Sequence, residues 1–198
     1  EDDQEILIVT LVNAAVDNFS ARIAGFLQDM GLLPGVGYRV RTLHGLAHDI
    51  VRERPDLLML SEDFNIIDDR TSQGIIEEVT GAWLRAHPDV IEEFLSPDLT
   101  ETKRREILRR YWPALMVKIV TAVIRQAKDL QMTPEDLHRR LESLLFPLPL
   151  LEMAGAVYAD YQRSLVARHA VDFDDLIRMA LLALQADPVF LERLRYRW

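Results

Sequence analysis

Two short segments place polar side chains where a predicted strand ends and a helical pattern begins. Thr10 ends Glu5–Thr10 and Asn13 follows it, and Thr42 ends Tyr38–Thr42 and His44 follows it. A turn from strand to helix presents unpaired backbone N–H groups, which suit a phosphate. Hydroxyl, amide and imidazole groups beside them can also donate to phosphate oxygens. The chemistry these residue types favour is therefore the binding of a phosphate backbone.

Each pair also has a simpler interpretation. Thr10 and Asn13 could serve only as helix caps, because Thr and Asn are favoured at that position. His44 and His48 are four residues apart on one helical face, a spacing that also suits a metal. No third ligand lies nearby in the sequence, so a metal site is not predicted. These alternatives stay open at this point.

A third polar group contains three carboxylates within four residues, at Asp172, Asp174 and Asp175. Such a cluster could hold a metal ion. We favour a role at a helix start, where Asp is stabilised by free N–H groups and the helix dipole. Phe173 and Leu176 are then expected to face the core.

The elements that position these groups follow from hydrophobic periodicity. Strands are predicted at Glu5–Thr10, Tyr38–Thr42 and Phe64–Asp68, with helices between them at about 16–30 and 44–54. That order predicts a parallel sheet with crossover helices. After Ser72 no further strand is predicted. Helices are expected at about 75–83, 90–95, 100–112, 113–130, 133–146, 150–168, 172–186 and 188–195.

Composition sets wider bounds. The 198 residues contain 49% hydrophobic and 28% charged residues, as in ordinary globular proteins. No cysteine is present, which excludes disulfides and thiolate metal sites. No membrane span or secretory leader is recognised, so a cytoplasmic protein is the expectation. The net charge of −9 comes from residues 1–80, which carry 6 basic and 15 acidic side chains, and residues 81–165 carry 12 of each. Whether a nucleic acid could bind therefore depends on the charge balance of each surface and not on the net charge of the chain.

The order of these segments resembles that of UvrD/Rep-type superfamily 1 DNA helicases. The stretch ILIVTLVNAAVDNFSARI at 6–23 is similar to motif Ia, although Leu11 replaces the usual Phe. VRTLHGLAHDIVR at 40–52 resembles motif Ib, with Leu43 again in place of a Phe. VDFDDLIRMALLAL at 171–184 looks like the family segment LDFDDLL, and Tyr158–Gln162 and 64–69 match two further stretches. Several matches in the right order over the whole chain make the resemblance specific.

The resemblance implies an α/β, helix-rich fold: a partial RecA-like parallel sheet with an inserted all-α subdomain. Residues 1–80 and 166–198 would belong to the motor domain and 81–165 to the insertion. Thr10, Asn13, Thr42, His44 and Lys128 are the residues it implies for DNA contact. A basic strip in the insertion could touch the DNA backbone, or form a solvated face neutralised by Glu101 and Glu106; its members are Lys103, Arg104, Arg105, Arg109 and Arg110.

The activity implied for the parent protein is ATP-dependent DNA unwinding with ATP and Mg²⁺. Its partners would be single-stranded DNA, single/double-strand junctions and the remaining motor domains, with no membrane. The 198 residues contain no P-loop GxxxxGK[ST] and no Walker B acidic pair. They would lie between these two motifs of the family, so no catalytic residue, metal site or bound cofactor is expected here, and the chain alone is expected to be inactive. The alternatives are a non-enzymatic helical interaction module and an inactivated nuclease-helicase subunit.

Overall fold

The computed structural model describes residues 4–198, which form helices together with short strands paired in parallel. The chain divides into two compact units. The first contains the described part of residues 1–64 together with Asp175–Trp198, and the second contains Asn65–Asp174. The helix-rich character and the parallel pairing of the strands are confirmed, and they are compatible with the predicted α/β class.

The first unit is built on a strand–helix–strand arrangement. Strand β1 (Ile6–Thr10) leads into helix α1 (Asn13–Asp29), which returns the chain to strand β2 (Tyr38–Thr42). The two strands are parallel, and the register pairs Ile6 with Tyr38 and Thr10 with Thr42. Helix α2 (Leu43–Glu53) starts at the residue after β2 and buries Ala47, Ile50 and Val51. The predicted strands and helices of this region are thus confirmed.

The C-terminal segment completes this unit with helices α8 (Phe173–Ala186) and α9 (Pro188–Arg197). The first two residues of α8 belong to the second unit. Asp187 caps α9 by accepting hydrogen bonds from the backbone N–H groups of Val189 and Phe190, both at 3.0 Å. It also pairs with Arg54, which follows α2. The backbone hydrogen bond from Phe190 and then the Arg54 guanidinium hold the pKa of Asp187 below its usual value. One carboxylate therefore fixes the start of α9 and joins it to the end of α2.

The second unit is mainly helical. In chain order its regular elements are β3 (Asn65–Ile67), α3 (Asp69–Ala86), α4 (Glu101–Glu106), α5 (Trp112–Asp129), α6 (Pro134–Glu142), α7 (Pro149–Ala167) and β4 (Ala170–Asp172). A 3₁₀ turn at Pro88–Phe94 and a π-helical turn at Ile107–Tyr111 link them. A hydrophobic core lies here, where α3, α5 and α7 pack through Ile76, Val120 and Tyr158 among others.

Two predictions about strands were wrong, namely that no strand follows Ser72 and that the third strand joins the first two in one sheet. Strand β4 was not predicted, because Ala170–Asp172 is only three residues long and runs directly into α8; it pairs in parallel with β3. β3 therefore pairs with β4 and not with the sheet of β1 and β2. The helices predicted at 100–112 and 113–130 form one helical stretch, in which the π turn precedes Pro113. Since proline has no N–H to donate and its ring crowds the preceding turn, a widened turn at this point accommodates it.

The boundaries of the two compact units differ from the domain boundaries predicted at residues 80/81 and 165/166. Helix α3 continues through residue 80, and its buried Ile75, Ile76 and Val79 belong to the core of the second unit. α7 likewise continues through residue 165, and β4 pairs with β3. The compact body is therefore Asn65–Asp174. Whether an inserted subdomain of the family has the predicted limits 81–165 stays a prediction.

These contacts predict different stabilities for two excised segments. Residues 65–174 expressed alone should give a helical circular dichroism spectrum and a cooperative thermal transition. Residues 81–165 lack Ile75, Ile76 and Val79, each contributing roughly 1.5–3 kcal/mol by burial. That shorter segment should melt at a much lower temperature or without a cooperative transition. Equal melting temperatures would contradict the role given to the first half of α3.

Candidate nucleic-acid interface

The carboxyl ends of β1 and β2 lie side by side. The register places Thr10 opposite Thr42, each the last residue of its strand. The strands are parallel, so α1 and α2 both start at this edge, with Asn13 as the first residue of α1 and His44 as the second of α2. The four residues singled out in the sequence therefore belong to one edge of the sheet. In open α/β sheets this is the edge where ligands bind.

Helix α1 begins without a side-chain cap. The residue before it, Val12, makes no capping hydrogen bond, and the Thr10 hydroxyl donates instead to the Val12 carbonyl at 3.2 Å. Asn13 is exposed. The interpretation of Thr10 and Asn13 as helix caps is therefore wrong. The amides of Ala15 and Val16 donate to the Val12 carbonyl at 3.1 and 3.3 Å, so the amides of Asn13 and Ala14, at the very start of the helix, are the ones that suit an external acceptor.

Helix α2 is capped by Thr42. Its hydroxyl oxygen accepts a hydrogen bond from the Gly45 backbone N–H at 3.0 Å. A Cβ atom on Gly45 would lie 3.1 Å from that oxygen, closer than most side chains tolerate, so the glycine allows the cap to close. His44 is half-buried beside it. Thr42 thus has a structural role, while its hydroxyl hydrogen still permits a second bond as donor.

The metal alternative for His44 and His48 gains no ligand from the fold. The charged neighbour of His48 is Asp49, whose Oδ1 lies 4.0 Å from Nδ1 of the imidazole, and the His48 ring lies edge-on to Phe64 at 6.2 Å. Within residues 4–198, no group of three or more His, Cys, Asp or Glu side chains is arranged to hold a metal ion.

The basic strip divides into paired and unpaired members. Arg105 pairs with Glu101 at 3.1 Å, as the neutralised-face interpretation requires, and Arg104 pairs with Glu92. Lys103, Arg109 and Arg110 are exposed, and no carboxylate of the described chain lies within 4.0 Å of them. All five residues lie on α4 and the π turn that follows. Three cations on this segment are thus available to a phosphate backbone.

Lys128 is buried, with 6% of its surface exposed. Its ammonium forms an ion pair with Asp172 of β4, and the Tyr161 hydroxyl donates to the same carboxylate oxygen at 2.5 Å. The ammonium also lies 5.0 Å from the centre of the Tyr161 ring. A DNA-binding lysine presents its charge to solvent, and Lys128 does not in this structure. The geometry supports a structural role that links α5, α7 and β4.

This cluster was missed by sequence reasoning, although a signal existed. Met116, Val120, Ile124 and Lys128 recur every four residues along α5, which places the lysine on the buried face. A lysine at such a position needs a buried partner, because an unpaired charge there is costly. Asp172 was assigned only to a helix start; it is the last residue of β4 and lies directly before α8, and its pairing with Lys128 was not predicted.

The other acidic residues of the segment have separate environments. Asp175 is buried and lies 3.4 Å from Nε of Arg178, and Leu176 is buried as expected. Phe173 is 37% exposed, so the expectation that it faces the core is wrong. Burial and then the charge of Asp172 raise the pKa of Asp174. Asp172, Asp174 and Lys128 border a polar cavity of about 100 Å³.

The fold and the strand-end site define an α/β protein whose candidate ligand lies at the carboxyl ends of parallel strands. The family model of the UvrD/REP helicase N-terminal domain matches residues 1–198. This chain belongs to the UvrD/REP helicase family.

The names of several relatives agree with this assignment. The chain is 26% identical over 195 residues to the ATP-dependent DNA helicase UvrD1 of Mycobacterium leprae, covering 98% of this chain. It is 24% identical to the ATP-dependent DNA helicase PcrA of Staphylococcus epidermidis and 25% identical to DNA helicase II of Rickettsia typhi, covering 94% and 87% of this chain. The chain spans 21% of the length of each of these relatives. No helix in the described part of the chain is long and apolar enough to cross a membrane.

ATP and Mg²⁺ are the cofactors that the family implies. The 198 residues contain no P-loop that could bind the phosphates. Within residues 4–198, no cluster of three or more His, Cys, Asp or Glu side chains is arranged to hold a metal ion. These residues therefore do not fit the nucleotide, and no step of ATP hydrolysis is assigned to them.

Proposed function

We propose that this chain is the DNA-gripping part of the first RecA-like motor domain of an ATP-dependent DNA helicase, together with a helical insertion. The longer protein would translocate on single-stranded DNA and unwind duplex, with ATP and Mg²⁺ held by residues outside this chain. The family assignment and the names of the relatives support this proposal.

The observation that carries the proposal is the register of β1 and β2. It brings Thr10 and Asn13 to the same sheet edge as Thr42 and His44. In our proposal a phosphate of the strand lies against the uncapped first turn of α1, with Asn13 donating from its amide. A neighbouring phosphate or sugar accepts from His44 and from the Thr42 hydroxyl. Such contacts read the backbone and not the bases, so binding is independent of sequence.

The side chains at this edge also limit how bases are held. Leu11 and Leu43 stand beside the two contact points, and they are 84% and 40% exposed. An aromatic platform contributes about 1–3 kcal/mol for each stacked base. Leucine offers apolar contact without that stacking. We therefore propose that DNA binding at this edge is mainly electrostatic, so that the affinity falls as the salt concentration rises.

The helical unit contributes through the unpaired members of its basic strip. Lys103, Arg109 and Arg110 would lie against the DNA backbone, while Arg104 and Arg105 are engaged with Glu92 and Glu101. Each phosphate contact to a single strand adds about 0.7 to the salt slope of the binding constant. Three contacts thus correspond to a slope of about 2.

Fluorescence anisotropy with labelled single-stranded DNA tests this part of the proposal. Replacing Lys103, Arg109 and Arg110 together with Gln should lower the salt slope by about 2 and weaken binding equally for unrelated sequences. The matched control replaces Arg104 and Arg105 with Gln, which removes cations already paired and should change the slope by less than about half as much. A larger change in the control than in the triple variant would rule out this assignment of the strip.

A further inference from the structure

An apolar groove lies between α6 and α7, and its lining includes none of the residues that the proposed DNA interface uses. Its volume is about 520 Å³, within the range of about 300–1,000 Å³ typical of binding pockets. The α6 wall carries Pro134 and Leu141. The α7 wall carries only small residues along its middle, namely Gly155, Ala156 and Ala159.

The small residues of α7 leave the groove open. At Gly155 the packing of α6 against α7 does not require a residue without a side chain. A Cβ atom on Gly155 would lie 3.7 Å from the nearest atoms of Leu137 and Leu141, which is ordinary van der Waals contact. An alanine would therefore fit at that position. Ala156 is exposed on the same helix. Side chains that would fill the groove are absent, although the backbone has room for them.

The groove has an acidic border. Glu135, Glu142 and Glu152 line it together with His138, whose Nε2 lies 3.2 Å from the Glu142 carboxylate, and no Lys or Arg does. Three carboxylates repel a phosphate backbone, so this surface is unsuited to nucleic acid. The same carboxylates favour a ligand that is basic.

The linker that joins the two groove helices adds exposed apolar surface. Leu145 and Phe146 are 94% and 77% exposed, and Leu144 and Leu148 are also exposed. A cluster of exposed apolar side chains next to an apolar groove is typical of a protein interaction site. An amphipathic helix matches such a groove, because its apolar face can pack on the floor while its basic side chains face the acidic border.

We propose that the α6–α7 groove binds an amphipathic helical segment of a partner protein, with its apolar face against Leu141 and Ala156 and its Lys or Arg side chains opposite Glu135, Glu142 and Glu152. The charge pattern of the groove sets the class of partner: a basic, apolar-faced protein helix, and not DNA.

The test uses the 198-residue chain and a labelled ~18-residue peptide of about five helical turns, with Leu on one face and Lys on the other. Binding is measured by anisotropy against the same peptide with Glu in place of Lys. The Lys peptide should bind at least about tenfold more tightly than the Glu peptide. Ala156→Trp, which fills the groove, should weaken binding of the Lys peptide at least about tenfold.

The matched control is Ala122→Trp, which adds the same side chain at an exposed position of α5 outside the groove. It should leave peptide binding unchanged. Equal binding by both Trp variants, equal binding of the Lys and Glu peptides, or no binding at all would overturn the proposal. Loss of affinity for duplex DNA in Ala156→Trp but not in Ala122→Trp would also overturn it, because the groove would then be a nucleic-acid surface.

Discussion

Replacing Lys128 with Met should destabilise the protein by about 3–5 kcal/mol, the cost of breaking a buried ion pair by removing one partner. Lys128 and Asp172 are 6% exposed each, and Asp172 also accepts the hydrogen bond of Tyr161. Without the ammonium, Asp172 loses its cationic partner at a position that is 6% exposed, so the carboxyl either stays charged at a cost in free energy or has to bind a proton. Urea unfolding followed by the helical circular dichroism signal measures the loss.

Two further variants separate charge from packing. Lys128→Met combined with Asp172→Asn removes both charges and should recover part of the lost stability, because no uncompensated charge then remains. Lys118→Met changes an exposed lysine of the same helix and should alter stability by less than about 0.5 kcal/mol. If Lys128→Met and Lys118→Met unfold at the same urea concentration, the buried pair does not stabilise the native state.

Replacing both Asn13 and His44 with Ala in the proposed longer helicase should weaken single-stranded DNA binding about a hundredfold or more. Each lost hydrogen bond to a charged phosphate corresponds to about 1.5–3 kcal/mol. ATP turnover without DNA should stay near its original rate, because neither residue is assigned to the nucleotide. Turnover measured over a range of DNA concentrations should therefore show a lower stimulated rate at subsaturating DNA.

The control for that experiment is Arg22→Ala, an exposed residue of α1 that lies away from the strand end. It should leave both the basal and the stimulated rates unchanged. Equal losses of basal and stimulated turnover in the double variant would show that Asn13 and His44 act through the fold and not through DNA. Unchanged DNA affinity would remove them from the interface.

The first unit was largely predictable because its signals are local. β1 is a run of apolar and β-branched residues, β2 alternates two arginines with Tyr38, Val40 and Thr42, and α1 and α2 carry helical periodicity. Parallel strands with a helical connection bring their carboxyl ends to one edge, so the meeting of Thr10 with Thr42 followed from element order. The capping of α2 by Thr42 but not of α1 by Thr10 depends on backbone geometry that residue types do not specify.

The helical unit was less predictable because its decisive contacts are distant in sequence. Lys128 and Asp172 are far apart in the chain, and β4 is a strand only because β3 is available to pair with it. A three-residue strand carries no periodicity of its own. The membership of α3 in this unit likewise depends on packing against α5 and α7, which no local pattern indicates.

Photo-crosslinking from position 13 tests the proposed DNA grip most directly. A benzoylphenylalanine placed at position 13 of the proposed longer helicase should crosslink to single-stranded DNA on irradiation, with a yield that falls as salt rises. The same group at position 22 lies about two and a half turns further along α1 on its opposite face and should give little product. Crosslinking at 13 well above that at 22 is the predicted result. Equal yields at the two positions, or none at 13, would contradict a DNA-binding site at the ends of β1 and β2.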